Sequence, residues 1–319
     1  MSIRAALRLV LAAGTMMLFG GAHAHEVRIP GPKGDLVGEA IAVAGADHAV
    51  VVIPGSGPTD RNGDSALFGV SAGALKLLAE GLADRGVASI RIDKRGMFAS
   101  EHAIAPGDDV TVAGYADDAR AWVGAARDLA PCVWIAGHSE GGLVALVAGQ
   151  APPEGLCGLV LLATPGMPIG RLMVEQLRAN PHAAEMLEEA ESIVAKYEAG
   201  RLVEPGAVSQ GLQWMASSPG LQRYMIDLFA YDPAALAAGW PGAALILQGD
   251  SDIQVGGHHA ALLANAMPQA KTRMLAGATH MLKQSVDGDP LATYRDPTLP
   301  LHPDLVAAIV DFVQSAPAR

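Results

Sequence analysis

Ser139, Asp252 and His280 are residue types that together can carry out acyl transfer. A serine hydroxyl is a poor nucleophile until a base takes its proton. A histidine does this when a carboxylate fixes its tautomer and steadies its protonated form. Ser139 lies in IAGHSEGGLVAL, Ile135 to Leu146. A Gly-x-Ser-x-Gly string is weak evidence alone in a chain with 37 glycines. Its placement says more. The apolar run VWIAG enters it and the helix-like GGLVALVAG leaves it. On such a strand-to-helix turn the hydroxyl projects above the carboxyl edge of a sheet. Gly137 and Gly141 remove Cβ clashes there, and the helix N-terminus brings N–H groups and a positive dipole end beside the serine. The bland alternative is an ordinary glycine-rich turn.

A base and its orienting acid must follow downstream. Asp250-Ser251-Asp252 comes after the strand-like ALILQG, and Gly277-Ala278-Thr279-His280 comes after the next strand. Both lie just past strand ends, on the edge that carries Ser139, and give the chain order serine, acid, histidine. Asp252 is favoured over Asp250 because it is far enough past the strand to reach back to the histidine. His258 and His259 are rivals to His280, but they open a helix-like segment where a cap or surface role is expected. His138 is expected to be structural. For the developing oxyanion, the N–H of Glu140 is one donor by position. The second is expected from VVIPGSGPTDRNGD, Val51 to Asp64, with Ser56 as the donor and Gly55 and Gly57 letting the backbone turn inward.

Other chemistries fit poorly. Asp60-x-Asn62-x-Asp64 begins like a calcium loop, but Ser65 stands at its sixth place and Ser71 at its twelfth. Gly55-x-Gly57 lacks the third glycine of a dinucleotide loop and the lysine of a phosphate loop. His25 is a possible copper ligand if it becomes the N-terminal residue, but the sequence places no second histidine with it. No metal or organic cofactor is expected.

These residues need a frame. Apolar runs at His48–Pro54, Val87–Asp93, Cys132–Gly137, Gly158–Ala163, Ala243–Gly249 and Thr272–Ala276 read as strands, with weaker ones near Glu26–Ile29 and Val37–Val43. Helical patterns fall at Val70–Arg85, Tyr115–Leu129, Glu140–Gln150, His258–Ala266 and Pro303–Gln314. Strand–helix alternation with near-continuous apolar strands predicts an α/β fold, a mostly parallel doubly wound sheet covered on both faces. Met167 to Trp240 breaks the rhythm. It reads as helices at Gly170–Ala179, Ala183–Ala199, Ala207–Ala216 and Leu221–Leu228, a helical lid inserted between two strands. The expected organisation is a signal peptide over 1–24, core over 25–165, cap over 166–240 and core again over 241–319.

Half of the 319 residues are hydrophobic, enough for one large core with a small subdomain. The net charge of −11 argues against nucleic acid or an anionic membrane as partner. Arg4 and Arg8 precede the apolar Leu9–Gly21, and Ala22-His23-Ala24 follows. A basic start, a short apolar run and an Ala-x-Ala end predict export to the periplasm or medium, with cleavage after Ala24. Removing the two arginines takes the charge from −11 to −13. No later segment reads as a membrane span. Cys132 and Cys157 each precede a strand-like run. A disulfide and two buried thiols both remain open on that reading.

GHSEGG, DKRGMFAS (Asp93 to Ser100), LQGDSDIQV, GATHMLK and the inserted helices, in this order, resemble the α/β-hydrolase superfamily. Within it the chain is similar to bacterial serine esterases grouped with the serine-aminopeptidase-like hydrolases. The match spans Val37 to Gln314. It implies Ser139, Asp252 and His280 as triad and Ser56 with Glu140 as oxyanion donors. Its expected substrate is a small or medium acyl ester, hydrolysed without a cofactor. Peptidase, thioesterase and lactonase activities use the same machinery, and a non-catalytic binding protein on this fold is the alternative of another class. One departure is Phe98, where the family's Arg-Gly-x-Gly pattern has glycine. The sequence leaves the oligomeric state unassigned.

Overall fold

The computed structural model describes residues 23–105 and 110–315 of the chain. The expected signal segment lies, apart from His23 and Ala24, outside the described residues. Eight strands form one sheet: β1 (Ala24–Pro30), β2 (Asp35–Ile41), β3 (His48–Ile53), β4 (Ala88–Ile92), β5 (Cys132–His138), β6 (Leu156–Leu162), β7 (Ala243–Gly249) and β8 (Lys271–Leu275). Their order is β1-β2-β4-β3-β5-β6-β7-β8. The β1/β2 and β2/β4 pairs are antiparallel and the rest are parallel. The helices are α1 (Ala74–Ala83), α2 (Val112–Ala126), α3 (Glu140–Gly149), α4 (Ile169–Ala179), α5 (Leu187–Glu198), α6 (Pro219–Phe229), α7 (Pro233–Ala238), α8 (Gly257–Ala266), α9 (Ala292–Arg295) and α10 (Leu305–Gln314).

The central strands are apolar throughout because both faces are covered. Successive side chains alternate between faces. Val51, Ile53 and Ile135 join the core under α2 and α3. Val50, Val52 and Trp134 join the core under α1 and α10. The chain leaves β3 for β4 through α1, then crosses to β5, on the other side of β3, through α2. At such a switch point the loops after neighbouring strands diverge and open a crevice at the carboxyl edge. Ile53 pairs with Gly137, and Gly249 with Leu275. The loops carrying Ser56, Ser139, Asp252 and His280 therefore leave one edge.

Local differences from the sequence reading have local causes. The first predicted helix begins at Ala74 rather than Val70 because Gly73 takes a left-handed φ of 59°. The predicted helix Ala207–Ala216 is instead two 3₁₀ turns, Pro205–Ala207 and Gln213–Ala216. Gly211 interrupts it, and a Cβ there would come within 2.3 Å of the Met186 sulfur. The Ser209 N–H also leaves the helical pattern to donate to Glu189 Oε1, 2.7 Å away. α7 was too short to show a period, although Asp232 Oδ1 caps it by accepting from Ala234 and Ala235. Phe98 adopts φ 49°, the left-handed conformation that a glycine takes at least cost.

Cys132 on β5 and Cys157 on the neighbouring β6 form a disulfide, with Cα atoms 5.6 Å apart. Closing a loop across 25 residues restricts the unfolded chain and contributes about 3 kcal/mol in the chain-entropy picture. The double variant Cys132→Ala/Cys157→Ala is expected to lose about 2–4 kcal/mol in urea unfolding. A loss below about 1 kcal/mol would show the crosslink to be energetically idle.

Candidate active site

Ser139 occupies the turn between β5 and α3 with φ 54° and ψ −121°, a conformation that costs a non-glycine residue about 1–3 kcal/mol. The surroundings impose it. Its N–H donates to the Leu162 carbonyl at 2.8 Å, and its own carbonyl accepts from Gly142 N–H at 2.9 Å. A Cβ on Gly137 would lie 2.1 Å from the Gly141 carbonyl oxygen, and one on Gly141 would lie 2.5 Å from the Ile53 carbonyl oxygen. Only glycine lets β3, β5 and α3 close on the serine this tightly.

His280 Nδ1 meets Asp252 Oδ2 at 2.8 Å, with both side chains buried. Asp252 is fully engaged. Oδ1 accepts from the Gln254 and Val255 N–H groups at 2.8 and 2.9 Å, and Oδ2 also accepts from Gln248 Nε2 at 3.1 Å. Burial works to raise this carboxyl. The charge and hydrogen bond of His280 and the two backbone N–H groups outweigh it and hold the group below its ordinary value. Asp250 is exposed and accepts from the Gly277 N–H at 2.5 Å. With Nδ1–H donating to Asp252, Nε2 of His280 keeps the lone pair that a base needs.

His138, the residue before Ser139, ties the loop of His280 to the turn that carries the serine. Its Nε2–H donates to the His280 carbonyl at 2.8 Å, and the two rings lie 4.7 Å apart. Burial, with help from the neighbouring His280, lowers the His138 pKa from 6.5 to about 3. Below pH 6.5 the unfolded chain takes up a proton that the folded chain refuses. The stability tied to His138 is thus complete above pH 6.5 and is lost as the pH falls toward 3. Between pH 6.5 and 5 this amounts to about 2 kcal/mol. His138→Gln is expected to flatten the pH dependence of the unfolding free energy from urea titration by that amount. Equal slopes in the two proteins would contradict it.

The two predicted oxyanion donors flank the serine. Glu140 opens α3 and is buried. A Cβ on Gly55 would touch the Ser139 Cβ at 3.3 Å, so the residue before Ser56 lies against the nucleophile. Ser56 itself is exposed, and its carbonyl accepts from Thr59 Oγ1 at 2.8 Å.

The calcium-like loop is spent internally. Asp60 Oδ1 accepts from the Asn62 and Asp64 N–H groups at 2.8 and 2.9 Å, and Asn62 Oδ1 accepts from the Arg91 guanidinium. Among the described residues, Glu175, His258 and His259 place metal-type donor atoms within 4.8 Å of one another. However, Gly166 N–H donates to His259 Nδ1 at 3.1 Å. The neutral ring then carries its proton on Nε2, which faces Glu175 Oε1 at 3.4 Å. His258 Nε2 lies 3.2 Å from Glu175 Oε2, so these side chains join α8 to α4. His25 lies exposed on β1, its Nδ1 3.5 Å from the His23 carbonyl.

His138 is structural, as expected, but sequence reasoning overlooked Gln248 and two groups around Glu140. Lys94 Nζ lies 3.3 Å from Glu140 Oε1 and 2.6 Å from the Gly55 carbonyl oxygen. Tyr224 on α6 donates to Glu140 Oε1 at 2.7 Å. Lysine reads as a surface residue, and nothing local in a sequence pairs positions 94, 140 and 224.

This sheet order, with a serine on a strained turn after β5 and an acid–histidine pair after β7 and β8, defines an α/β-hydrolase. The family model for serine aminopeptidase, S33 (Hydrolase_4), matches residues 68–287. That is well over half of the chain, which therefore belongs to this hydrolase family. No curated protein matches it in sequence. Among solved structures it is similar to the α/β-hydrolase GrgF from Penicillium sp. sh18, with TM-score 0.60, 17% identity, and 93% of this chain and 100% of that one covered. A thermophilic esterase from Thermogutta terrifontis gives TM-score 0.56 and 18% identity, covering 91% and 98%. Est1E from Butyrivibrio proteoclasticus, solved with ferulic acid bound, gives TM-score 0.55 and 17% identity, covering 89% and 96%. At these identities the likeness shows the fold alone.

Proposed function

We propose that this protein is an exported carboxylesterase that cleaves small to medium acyl esters through Ser139, His280 and Asp252. The observation that supports the reading is the buried His280–Asp252 pair, tied through His138 to the strained turn that carries Ser139. Ser139 Oγ attacks the ester carbonyl as its proton passes to His280 Nε2. The tetrahedral oxyanion rests on the N–H groups of Ser56 and Glu140. Collapse expels the alcohol, which takes the proton from His280. Water then gives a proton to His280 and attacks the acyl-enzyme, and the acid leaves as Ser139 is restored. These steps need no cofactor. The described helices between β6 and β7 serve as the cap over this site.

Export rests on the N-terminal pattern and agrees with the disulfide, since such crosslinks persist in oxidising compartments. No helix among the described residues is long and apolar enough to cross a membrane. Two of the similar structures are described as an esterase and as a ferulic-acid complex, which favours an ester substrate. The family's description favours a second reading, removal of an N-terminal residue from a peptide.

A p-nitrophenyl ester series from acetate to palmitate, run beside aminoacyl p-nitroanilides, separates the two. The expected result is turnover that falls with acyl length and little on anilides. Anilide turnover exceeding that of every ester would replace the esterase with a peptidase. No turnover, together with no fluorophosphonate labelling of Ser139, would leave a non-catalytic protein on a hydrolase fold.

A further inference from the structure

Glu140 carries more than a backbone N–H. Its side chain is only 1% exposed, on the first turn of α3, where carboxylates usually face water. Three elements converge on it. Lys94, just past β4 and equally buried, reaches Oε1. Tyr224 of α6, in the helical insertion, donates to the same oxygen. Tyr115 of α2 stacks edge-on against Tyr224, with ring centroids 6.1 Å apart, and lies 5.2 Å below the Lys94 ammonium. The second oxygen, Oε2, is buried without a hydrogen-bond partner. A lone fold-stabilising carboxylate would not be left half satisfied, because that costs stability.

The geometry gives a reason to keep it. Lys94 Nζ holds the Gly55 carbonyl oxygen at 2.6 Å. In a trans peptide the carbonyl and the following N–H point in opposite directions. Fixing the Gly55 oxygen on Lys94 therefore turns the Ser56 N–H away from Lys94. The same ammonium holds the side chain of Glu140, whose N–H is the other donor. One cation thus ties together both walls of the oxyanion hole. Its neighbours anchor the same strand end. Asp93 pairs with Arg61 of the oxyanion loop at 2.5 Å, and Arg95 pairs with Asp118 of α2 at 2.6 Å. α6 is itself tied down, since Asp227 accepts from the Val112 N–H at 2.7 Å.

We propose that Lys94, the Glu140 carboxylate and Tyr224 form a brace that sets the spacing of the two oxyanion N–H groups, so that the helical insertion acts on the chemistry through Tyr224 as well as covering the site. This rests on the serine-hydrolase reading. Lys94 and Tyr224 are positioning residues, and their loss should weaken transition-state stabilisation rather than substrate binding. Lys94→Met alone strands a buried carboxylate and can unfold the chain. The test is therefore the neutral double variant Lys94→Met/Glu140→Gln, which keeps the residue-140 N–H, together with Tyr224→Phe.

The measurements are kcat and KM on p-nitrophenyl acetate and the Ki of an alkyl trifluoromethyl ketone, whose hemiketal mimics the tetrahedral intermediate. Losing one oxyanion donor costs about 10²–10³-fold, so the double variant is expected to lose about 10²-fold in kcat. Its KM should stay within about threefold and its Ki should rise in step with 1/kcat, since the interaction lost is one made in the transition state. Tyr224→Phe should lose about 5–10-fold with the same signature, the effect of one uncharged donor lost from the brace. A folded double variant with wild-type kcat, or with a raised KM and an unchanged Ki, would overturn the brace while leaving the hydrolase intact. Failure of fluorophosphonate to label Ser139 in the wild-type protein would overturn both.

Discussion

Ser139→Ala is expected to lower kcat/KM on the best p-nitrophenyl ester by about 10⁴–10⁶-fold while leaving the fold in place. Alanine keeps the Cβ, so the turn with φ 54° is as strained as before and the thermal midpoint should move little. The only group removed is the hydroxyl. His280 and Asp252 would remain paired, and the oxyanion N–H groups would remain in place. Those parts alone give a residual acceleration over water of about 10³–10⁴, because without a nucleophile no acyl-enzyme forms. Intact-mass analysis after fluorophosphonate treatment separates loss of chemistry from loss of structure. Wild-type protein should gain one adduct and the variant none. A variant that still hydrolyses esters at the wild-type rate would show that Ser139 only shapes a turn.

What the sequence revealed, and what it hid, follows from the range of the interactions involved. Central strands such as VVVI and VWIA were legible because burial on both faces demands unbroken apolar runs. The turn at Ser139 was legible because its glycines stand two residues either side of the serine, between an apolar strand and a helix, although what requires Gly141 is the Ile53 carbonyl on β3. Asp252 was separable from Asp250 because two residues of extra chain decide which acid reaches back, and in the structure Asp252 is the one His280 meets. The helical insertion was visible as a block, yet Ala207–Ala216 misled because its fate depends on Gly211 fitting against Met186 from another segment. Lys94, Tyr224 and the inward-facing carboxylate of Glu140 could not be read at all. Their burial is created by elements far apart in the chain, and their residue types ordinarily mark a surface. The pairing of Cys132 with Cys157 needed the β5–β6 register, which two cysteines ahead of two apolar runs suggest without fixing.

The acid is where substitution should be most damaging after the serine, for a reason specific to its hydrogen bonds. Asp252 Oδ1 accepts two backbone N–H groups, from Gln254 and Val255, which cannot rotate away. In Asp252→Asn the amide oxygen must therefore take the Oδ1 position, and the NH₂ is forced into the Oδ2 position facing His280 Nδ1. There it donates a hydrogen bond where the carboxylate accepted one. His280 then favours the tautomer with its proton on Nε2, the nitrogen that should receive the proton of Ser139. Gln248 cannot rescue the arrangement. Its Nε2 is held by the Val255 and Gly249 carbonyls at 2.8 and 3.2 Å, so its amide does not turn, and its single donor is outweighed by the two backbone N–H groups on Oδ1. The expected loss is about 10⁴-fold in kcat, with KM within a few fold and fluorophosphonate labelling of Ser139 slowed in parallel. Asp250→Asn, at an exposed position whose one close backbone contact is the Gly277 N–H, should stay within about threefold of wild type, as surface changes away from a site generally do. If the two variants exchanged these outcomes, Asp250 would be the orienting acid in solution, and the loop after β7 would have to turn its other carboxylate toward His280 during turnover.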